Sequence, residues 1–422
     1  MKILHVVQGY APALGGTEWL IQRVSEELVR QYGDEVTVFT ANTYSAEAFY
    51  APRLPRLPVG WSELNGVRIR RFPVRSRLSQ LLRWPQRLAY RLRLPGNDRL
   101  RAGFGGPLIP GLADSIAAHP ADVVAASSFP LLHMFAALEG GRRAGRPVVL
   151  HGGLHPDDRW GFDRSMIYQA IRAAAAYIAN TQYEADYVLE RGADPARVTA
   201  IGVGVDVERY AGLTQAEARA RLGLGGGPLV GFIGQQGRHK GLDTLLRAMR
   251  QVWAVLPEAQ LLIAGARTLF SDFVDRDLAA WPEAQRQRVK LFYNFKEEDK
   301  AALFRALDVF AYPSGYESFG IAYLEAWACG LPVIGCRRGA IPWVIQAGRD
   351  GLLVPFQHDR QLADAILLLL ANPAWGRLIG QLGYNKVITR YNWPEIARRF
   401  RQVYVTAVEA RRPGVETGVS EN

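Results

Sequence analysis

Two carboxylates eight residues apart, Glu317 and Glu325, lie in Pro313-Ser314-Gly315-Tyr316-Glu317-Ser318-Phe319-Gly320 and the run that follows it. Apolar strand-like segments flank them at 306–312 and 332–336. Between these, Ser318 has the chemistry of an N-cap, 319–329 reads as a helix, and Gly330 suits the position after it. A strand that ends in a turn opening a helix presents free backbone N–H groups and the positive end of a dipole, which suits an anion. Ile321, Leu324 and Ala328 mark the buried stripe, and Glu325 shares that face as the i+4 neighbour of Ile321. A carboxylate placed there needs partners, because burying it unpaired is costly. From Phe319 to Glu325 a helix rises roughly 9 Å, the reach from a diphosphate to a ribose diol. The plainer alternative is a pair of solvated or salt-bridged glutamates on an ordinary βαβ helix, since charged residues are mostly exposed.

Further back, Gly231-Phe232-Ile233-Gly234-Gln235-Gln236-Gly237-Arg238-His239-Lys240-Gly241 predicts a strand, a glycine-rich loop, a lysine and then a helix from Leu242 to about Val255. That order makes a phosphate cradle. It is not a P-loop, because Gly241 and not Ser or Thr follows Lys240. Gly15 and Gly16 stand in the first loop of the chain, where glycine permits close backbone approach to a ligand. His151 ends the apolar run Val148-Val149-Leu150-His151. A lone histidine is more often a satisfied structural residue than a catalytic one. His151 and His155 are four apart, but Gly152, Gly153 and Pro156 oppose the helix that such ligand spacing needs, and no metal site is expected. Asp275-Arg276-Asp277 is formally a D-x-D. It falls in a polar helical stretch and reads as a solvated face.

The elements that must hold these residues repeat a pattern. Residues 3–7 read as a buried strand, a helix follows to about Arg30, and 35–40 read as the next strand, a βαβ opening with a parallel sheet. Apolar runs recur at 123–126, 147–151, 176–179 and 197–203. After the joint Gly223-Leu224-Gly225-Gly226-Gly227-Pro228 a second series begins, with strands at 229–234, 260–265, 289–292, 308–312 and 332–336. A chain of 422 residues, 49% hydrophobic and 22% charged, suits two globular domains. Two consecutive open α/β sheets place a ligand crevice at the carboxyl ends of their strands, between the domains. Two cysteines, Cys329 and Cys336, lie in or beside apolar segments and read as buried reduced thiols. The short apolar N-terminus does not read as a signal peptide, and no run reaches the ~18 apolar residues that span a bilayer.

The net charge of +11 is unevenly spread: eleven arginines lie between Arg68 and Arg101 against one acid, Asp98. Leu78, Leu81, Leu82, Trp84, Leu88, Tyr90 and Leu92 interleave with them. Two readings stand side by side. One is a basic amphipathic surface for anionic lipid or a phosphorylated, lipid-linked acceptor. The other is a solvated insertion whose arginine stems pack over apolar surface. No nucleic-acid recognition module is visible.

Taken together, these motifs resemble the retaining GT-B glycosyltransferases of family 4. Residues 313–326 follow that family's P-S-x-x-E-x-F-G-x-x-x-x-E-A form. Gly234, Lys240 and Gly241 match its G-R-L-x-x-x-K-G motif, with Gln235 where the family has arginine and Arg238 as a nearby substitute. Gly15 and Gly16 match its P-x-x-G-G-x-E segment, and His151 its strand-end histidine. Trp343 departs from the usual glutamate. The resemblance implies an α/β GT-B fold, two Rossmann-like domains with parallel sheets facing an interdomain cleft. Its boundaries would be an acceptor-side domain at 1–207, with 68–101 as an Arg-rich insertion, a linker at 208–228, and a nucleotide-sugar-binding domain at 229–390. A helix at 391–412 would cross back to the first domain, and 413–422 would be a tail.

The implied activity is retaining, metal-independent transfer of a sugar from a nucleotide-diphosphate donor to a glycan, lipid-linked or small-molecule acceptor in cell-envelope polysaccharide synthesis. No cofactor is expected beyond that donor, and no nucleic acid. The resemblance gives Glu317, His151 and Lys240 catalytic places. It gives Gly15, Gly16, Gly234, Gln235, Arg238, Lys240, Ser318, Phe319, Gly320 and Glu325 donor contacts. From the residues themselves a cytoplasmic protein is expected, with peripheral contact on the inner membrane face through 68–101 under the first of the two readings of that segment. Alternatives are a nucleotide-sugar-binding GT-B protein whose transfer has lapsed, or another GT-B enzyme such as an epimerase or phosphorylase.

Overall fold

The computed structural model describes residues 1–13 and 15–411, so Leu14 and the expected tail at 413–422 lie outside the described residues. The described residues divide into two compact units, 1–201 with those from Ile396 onward, and 202–395.

The first unit is built on eight strands: β1 (Lys2–Val7), β2 (Glu35–Ala41), β3 (Gly60–Leu64), β4 (Val67–Phe72), β5 (Val123–Ser127), β6 (Val148–His151), β7 (Ala176–Ala179) and β8 (Val198–Ala200). They run in the order β3-β4-β2-β1-β5-β6-β7-β8, all parallel except the β3–β4 pair. That pair is a hairpin turning at Asn65 and Gly66, with φ of 50° and 77°. Two positive φ values in a two-residue turn match the strand twist, and Asn-Gly is the sequence that adopts them most readily. The interior strands are buried along their length, as β5 and β6 are, because helices cover both faces of a parallel sheet. The helix Trp393–Glu409 contributes Ile396, Phe400 and Tyr404 to this unit's interior. Arg401 grips Asp34 through two hydrogen bonds, at 2.8 and 3.2 Å.

One expectation changes here. The segment expected as an insertion at 68–101 begins inside the sheet: Arg68, Arg70 and Arg71 lie on β4, in register with Thr37, Phe39 and Thr40 of β2. The period-2 alternation of Val67 and Ile69 with Arg68 and Arg70 was the signal, and the density of charge hid it. Only after Phe72 does the chain leave the sheet, for three helices at Ser76–Leu81, Arg83–Arg91 and Asn97–Gly105. Arg101 is buried among them, donating to Asp98 at 2.6 Å and to the carbonyl of Trp160.

The second unit carries six parallel strands: β9 (Leu229–Ile233), β10 (Gln260–Gly265), β11 (Val289–Tyr293), β12 (Val309–Ala311), β13 (Val333–Cys336) and β14 (Leu352–Val354). Their order is β11-β10-β9-β12-β13-β14. The order reverses between β9 and β12. In open parallel sheets this switch point opens a crevice at the carboxyl ends of the two strands, where ligands bind. The loop after β9 is 234–241 and the loop after β12 is 312–320, so the two motifs singled out in the sequence leave neighbouring strands on the same edge. Cys329 and Cys336 are free and buried, and burial pushes both thiols up to about 12. Among the described residues no single helix is long and apolar enough to cross a membrane.

Candidate functional site

β12 ends at Ala311, and the loop runs from Tyr312 through Pro313 to Gly320, where the helix Ile321–Ala328 begins. The helix is shorter than the expected 319–329, and Ser318 does not cap it. Gly320 holds the cap position with φ 97°, and no side chain caps it. The αL backbone at Gly320 is accessible to glycine without a Cβ penalty, so the chain turns into the helix there and not two residues earlier. Gly330, with φ 71°, follows the helix as expected. Phe319 is buried against the Tyr391 ring, centroids 5.3 Å apart, so its backbone and not its ring can face a ligand.

The two loops are joined. Gly315 N donates to His239 O at 2.8 Å. Gly241 has φ 73°, and a Cβ there would meet Pro313 O at 2.2 Å, so the approach of the loops requires glycine. Across the junction Lys240 Nζ donates to Glu317 Oε1 at 2.7 Å and to Tyr316 O at 3.3 Å. Both side chains are largely enclosed, at 14% and 13% exposure. The sequence placed Lys240 and Glu317 in separate motifs; the structure makes them one ion pair. Tyr312 lies beneath them, Lys240 Nζ being 6.0 Å from its ring centre. Burial first, and then the Glu317 charge, hold its phenol well above the ordinary tyrosine value.

Around this pair the remaining predicted residues spread out. Gly234 and Gln235 follow β9 directly, with Gln235 exposed, while Gln236 is buried and accepts from Ser271 Oγ at 2.8 Å. Arg238 is 69% exposed and its Nε lies 3.9 Å from Asp243. A residue the sequence reading passed over touches the chain neighbour of Glu317: Arg338 donates to Tyr316 Oη at 3.1 Å and stacks over that ring at 4.5 Å. Its signal was Arg337-Arg338 at the end of β13, just before Gly339.

Glu325 is buried, as its place on the apolar stripe predicted, and it has the partners that burial demands. Tyr210 Oη donates to Oε1 at 2.9 Å, and Lys300 Nζ forms an ion pair with the same oxygen. Burial, then the Glu325 charge, raise the Tyr210 phenol above its ordinary value. Neither partner was legible in the sequence, where they lie far from Glu325. The formal D-x-D is not a free solvated face: Asp275 accepts from Arg267 at 2.7 Å and from Tyr293 Oη at 2.6 Å.

The predicted residues of the first unit form their own clusters. Gly15 caps the helix Gly16–Tyr32, and Glu18 folds back against it, so that a Cβ on Gly15 would lie 2.2 Å from Glu18 Oε2. His151 is buried at the end of β6. Its Nε2–H donates to Asn180 Oδ1 at 2.9 Å, leaving Nδ1 bare and without a protein partner. Burial lowers its pKa to about 4, against a smaller upward effect of the Asn180 bond, so the ring is neutral near pH 7.

Behind it sits a glutamate the sequence reading did not single out. Glu184 Oε1 accepts from Tyr177 Oη at 2.6 Å and from Leu154 N at 3.1 Å, and Oε2 accepts from Asn180 N at 2.9 Å. Burial raises its pKa to about 7. It ties the turn after His151 to the residue that orients the His151 ring. Among the described residues, no group of three or more His, Cys, Asp or Glu is placed to hold a metal ion.

Both halves of the chain match known families. A model described as "Glycosyl transferase 4-like domain" matches residues 15–204, and one described as "Glycosyl transferases group 1" matches residues 227–372. Together they span most of the chain, which is of the GT-B glycosyltransferase class and resembles family 4. Among individual relatives, the D-inositol 3-phosphate glycosyltransferase of Mycobacteroides abscessus is 35% identical over 213 residues, 49% of this chain and 47% of that protein. D-inositol 3-phosphate glycosyltransferase 1 of Catenulispora acidiphila is 32% identical over 255 residues, 57% and 60% of the two chains. The chain thus spans about half the length of the curated relatives it matches.

Among solved structures, Anabaena Alr3699/HepE in complex with UDP aligns over 96% of this chain and 100% of that one, with TM-score 0.73 and 20% identity. Sucrose-phosphate synthase from Thermosynechococcus elongatus aligns over 97% and 100%, with TM-score 0.71 and 22% identity. At these identities the likeness is one of fold.

Proposed function

We propose that this protein is a retaining, metal-independent glycosyltransferase. It moves a sugar from a nucleotide-diphosphate donor to a glycan, lipid-linked or small-molecule acceptor. The observation that carries the reading is the Lys240–Glu317 pair, held at 2.7 Å where two glycine-bearing loops meet at the switch point of the second sheet. A cation, a carboxylate and a helix N-terminus converge there. That combination suits the diphosphate of a donor and the hydroxyls of its sugar.

In the proposed reaction the bond from the anomeric carbon to the diphosphate oxygen breaks, and its electron pair stays with the diphosphate. The acceptor hydroxyl forms the new bond on the same face and passes its proton to the departing phosphate oxygen. Negative charge therefore grows on the leaving group. Lys240 and the backbone N–H groups at Phe319 and Gly320 would stabilise it, an electrostatic role that needs no metal. Glu317 would orient sugar hydroxyls while holding Lys240. Glu325, whose Oε1 is committed to Tyr210 and Lys300, would hold the ribose through Oε2. His151, Gly15 and Gly16 enter through the resemblance of their motifs, His151 as a neutral ring for the sugar and the glycines as close backbone. Gly234, Gln235, Arg238 and Ser318 complete the donor contacts, with Arg238 as the added charge. The site of action would be the cytoplasm and the inner membrane face.

The named relatives act on an inositol phosphate, which makes a phosphorylated cyclitol one acceptor worth including. The test is turnover of a radiolabelled nucleotide-sugar panel with envelope lipid extracts and inositol phosphate as acceptors, the product anomer read by NMR. Transfer with retained configuration, lost in Glu317→Ala, supports the reading. Donor binding without transfer or hydrolysis, unchanged in Glu317→Ala, would identify a binding protein whose transfer has lapsed. An inverted product would overturn retention.

A further inference from the structure

The helices Ser76–Leu81 and Arg83–Arg91 are mounted inside out. The residues they turn toward the protein are small or polar: Ser76, Ser79, Gln86 and Ala89 are buried. Their large apolar residues face solvent, Leu81 at 73% exposure, Trp84 at 72% and Leu88 at 58%, spaced i, i+3 and i+7 along one face. Leu78, Leu92 and Leu94 extend the same exposed surface. A soluble helix buries its apolar stripe, and apolar patches of this kind mark interaction surfaces.

Arginine fringes the stripe. Arg75, Arg77, Arg83, Arg87, Arg91 and Arg93 are exposed around it, and residues 68–97 contain no Asp or Glu. Arg87 lies 5.5 Å from the Trp84 ring centre. The nearest acid in the chain, Asp98, is taken by Arg101.

We infer that this face docks on an anionic lipid bilayer, with Leu81, Trp84 and Leu88 entering the headgroup–acyl boundary and the arginines pairing lipid phosphates. The charge argues for this occupant over a second copy of the chain. A two-fold contact sets the same patch against itself, which would bring these arginines face to face with no acid to separate them. A polyanion such as nucleic acid would satisfy the arginines and leave the leucines and Trp84 uncovered. A bilayer with acidic headgroups satisfies both. The inference rests on the exposed face alone and does not require the transfer reaction proposed above.

The test is flotation of the full chain with vesicles of phosphatidylglycerol and of phosphatidylcholine. Alongside it run Leu81→Gln/Trp84→Ala/Leu88→Gln and Arg83→Gln/Arg87→Gln/Arg91→Gln variants, all at exposed positions, with circular dichroism and sedimentation velocity as controls. Binding to phosphatidylglycerol should exceed binding to phosphatidylcholine by about tenfold or more, and each triple variant should lose about tenfold. Salt should weaken the wild type more steeply than the arginine variant, which keeps Arg75, Arg77 and Arg93. Equal binding to both vesicles, no binding, or unchanged binding by folded triple variants would overturn the inference. So would a wild-type dimer that the leucine–tryptophan variant dissolves. Loss of sugar transfer with vesicle binding intact would count against the proposed reaction and not against this surface.

Discussion

Lys240 and Glu317 in the second unit form an ion pair at 2.7 Å with both side chains about seven-eighths enclosed. In the first unit His151 is fully enclosed, its pKa is lowered to about 4, and it meets a neutral amide. Both sit at the carboxyl end of a parallel strand, yet one cluster stores charge and the other removes it. The physical difference is in what each can offer a ligand. An ion pair can exchange partners when a diphosphate arrives, because the cation is already desolvated and oriented. A neutral imidazole held by Asn180 can accept or shape a hydrogen bond, and it contributes no charge to balance. If the contrast is functional, substitutions in the two clusters should fail in different ways.

The largest effect is expected at the charged cluster. Glu317→Ala and Lys240→Ala should each lower kcat by on the order of 10²–10³, the range seen when one electrostatic stabiliser is removed from an active site. Each should also cost roughly 1–3 kcal/mol of stability, below the figure for a fully buried pair because some solvent reaches both groups. The double variant should be far less than additive in both measures. Equal loss of stability with kcat intact would reduce the pair to a structural ion pair and erase the contrast.

At the neutral cluster the order reverses, with stability suffering more than chemistry. Glu184→Ala leaves Tyr177 Oη, Leu154 N and Asn180 N without their acceptor. Stranding buried donors costs about 1–3 kcal/mol per group, so a drop of roughly 3 kcal/mol is expected in urea unfolding, and about 1 kcal/mol for Tyr177→Phe. Any loss of kcat should follow from a loosened His151 turn and be smaller than for Glu317→Ala. A kcat loss as large, at unchanged stability, would make Glu184 part of the chemistry.

The clusters should also differ in pH response. His5, His133 and His151 are all in the first unit, and burial lowers them to about 3, about 4 and about 4. Below roughly 6.5 the unfolded chain takes up protons at these rings that the folded chain refuses. Their stability contribution is therefore present above about 6.5 and is lost as pH falls toward 4. Glu184 has the opposite sign: raised to about 7, its contribution is full below about 4.5 and is lost as pH rises through 7. Three histidines outweigh one glutamate, so stability of the first unit should rise between about pH 4.5 and 6.5, and Glu184→Gln should steepen the rise. Hydrogen exchange resolved by peptide would check it. A slope confined to peptides of the second unit would contradict the assignment.

The parallel sheets were readable because their strands are unbroken apolar runs, and the two loops because glycine, lysine and glutamate recur there at spacings that few turns need. The helix start was misread because Ser318 has the better capping side chain, while Gly320 has the only backbone there that costs nothing at φ 97°. The hairpin at Asn65–Gly66 and the edge strand β4 were hidden by arginines alternating with Val67 and Ile69, a pattern that charge density made look like an insertion. Tyr210, Lys300 and Glu184 were illegible for another reason. Each earns its place through a partner distant in sequence or across a turn, and no local pattern marks such a contact.

The smallest expected effect tests whether the charged cluster is complete. Gln235 stands where the family has arginine and is exposed, so Gln235→Arg should fold normally. With Glu317 neutralising Lys240, an incoming diphosphate meets little net positive charge from the pair itself. A second cation at 235 should lower the donor KM about 1.5-fold to fivefold at low salt, the worth of one partly exposed charge pair, and the gain should shrink as salt rises. Arg238, loosely placed 3.9 Å from Asp243, is the native candidate for that charge. If it already serves, Arg238→Gln should raise the donor KM by a similar factor, and Gln235→Arg should rescue it. If Arg238→Gln changes nothing while Gln235→Arg still helps, the loop works one charge short. The stacked Arg338 beside Tyr316 then becomes the next group to substitute, since it reaches the Glu317 loop from the other side of the strand pair.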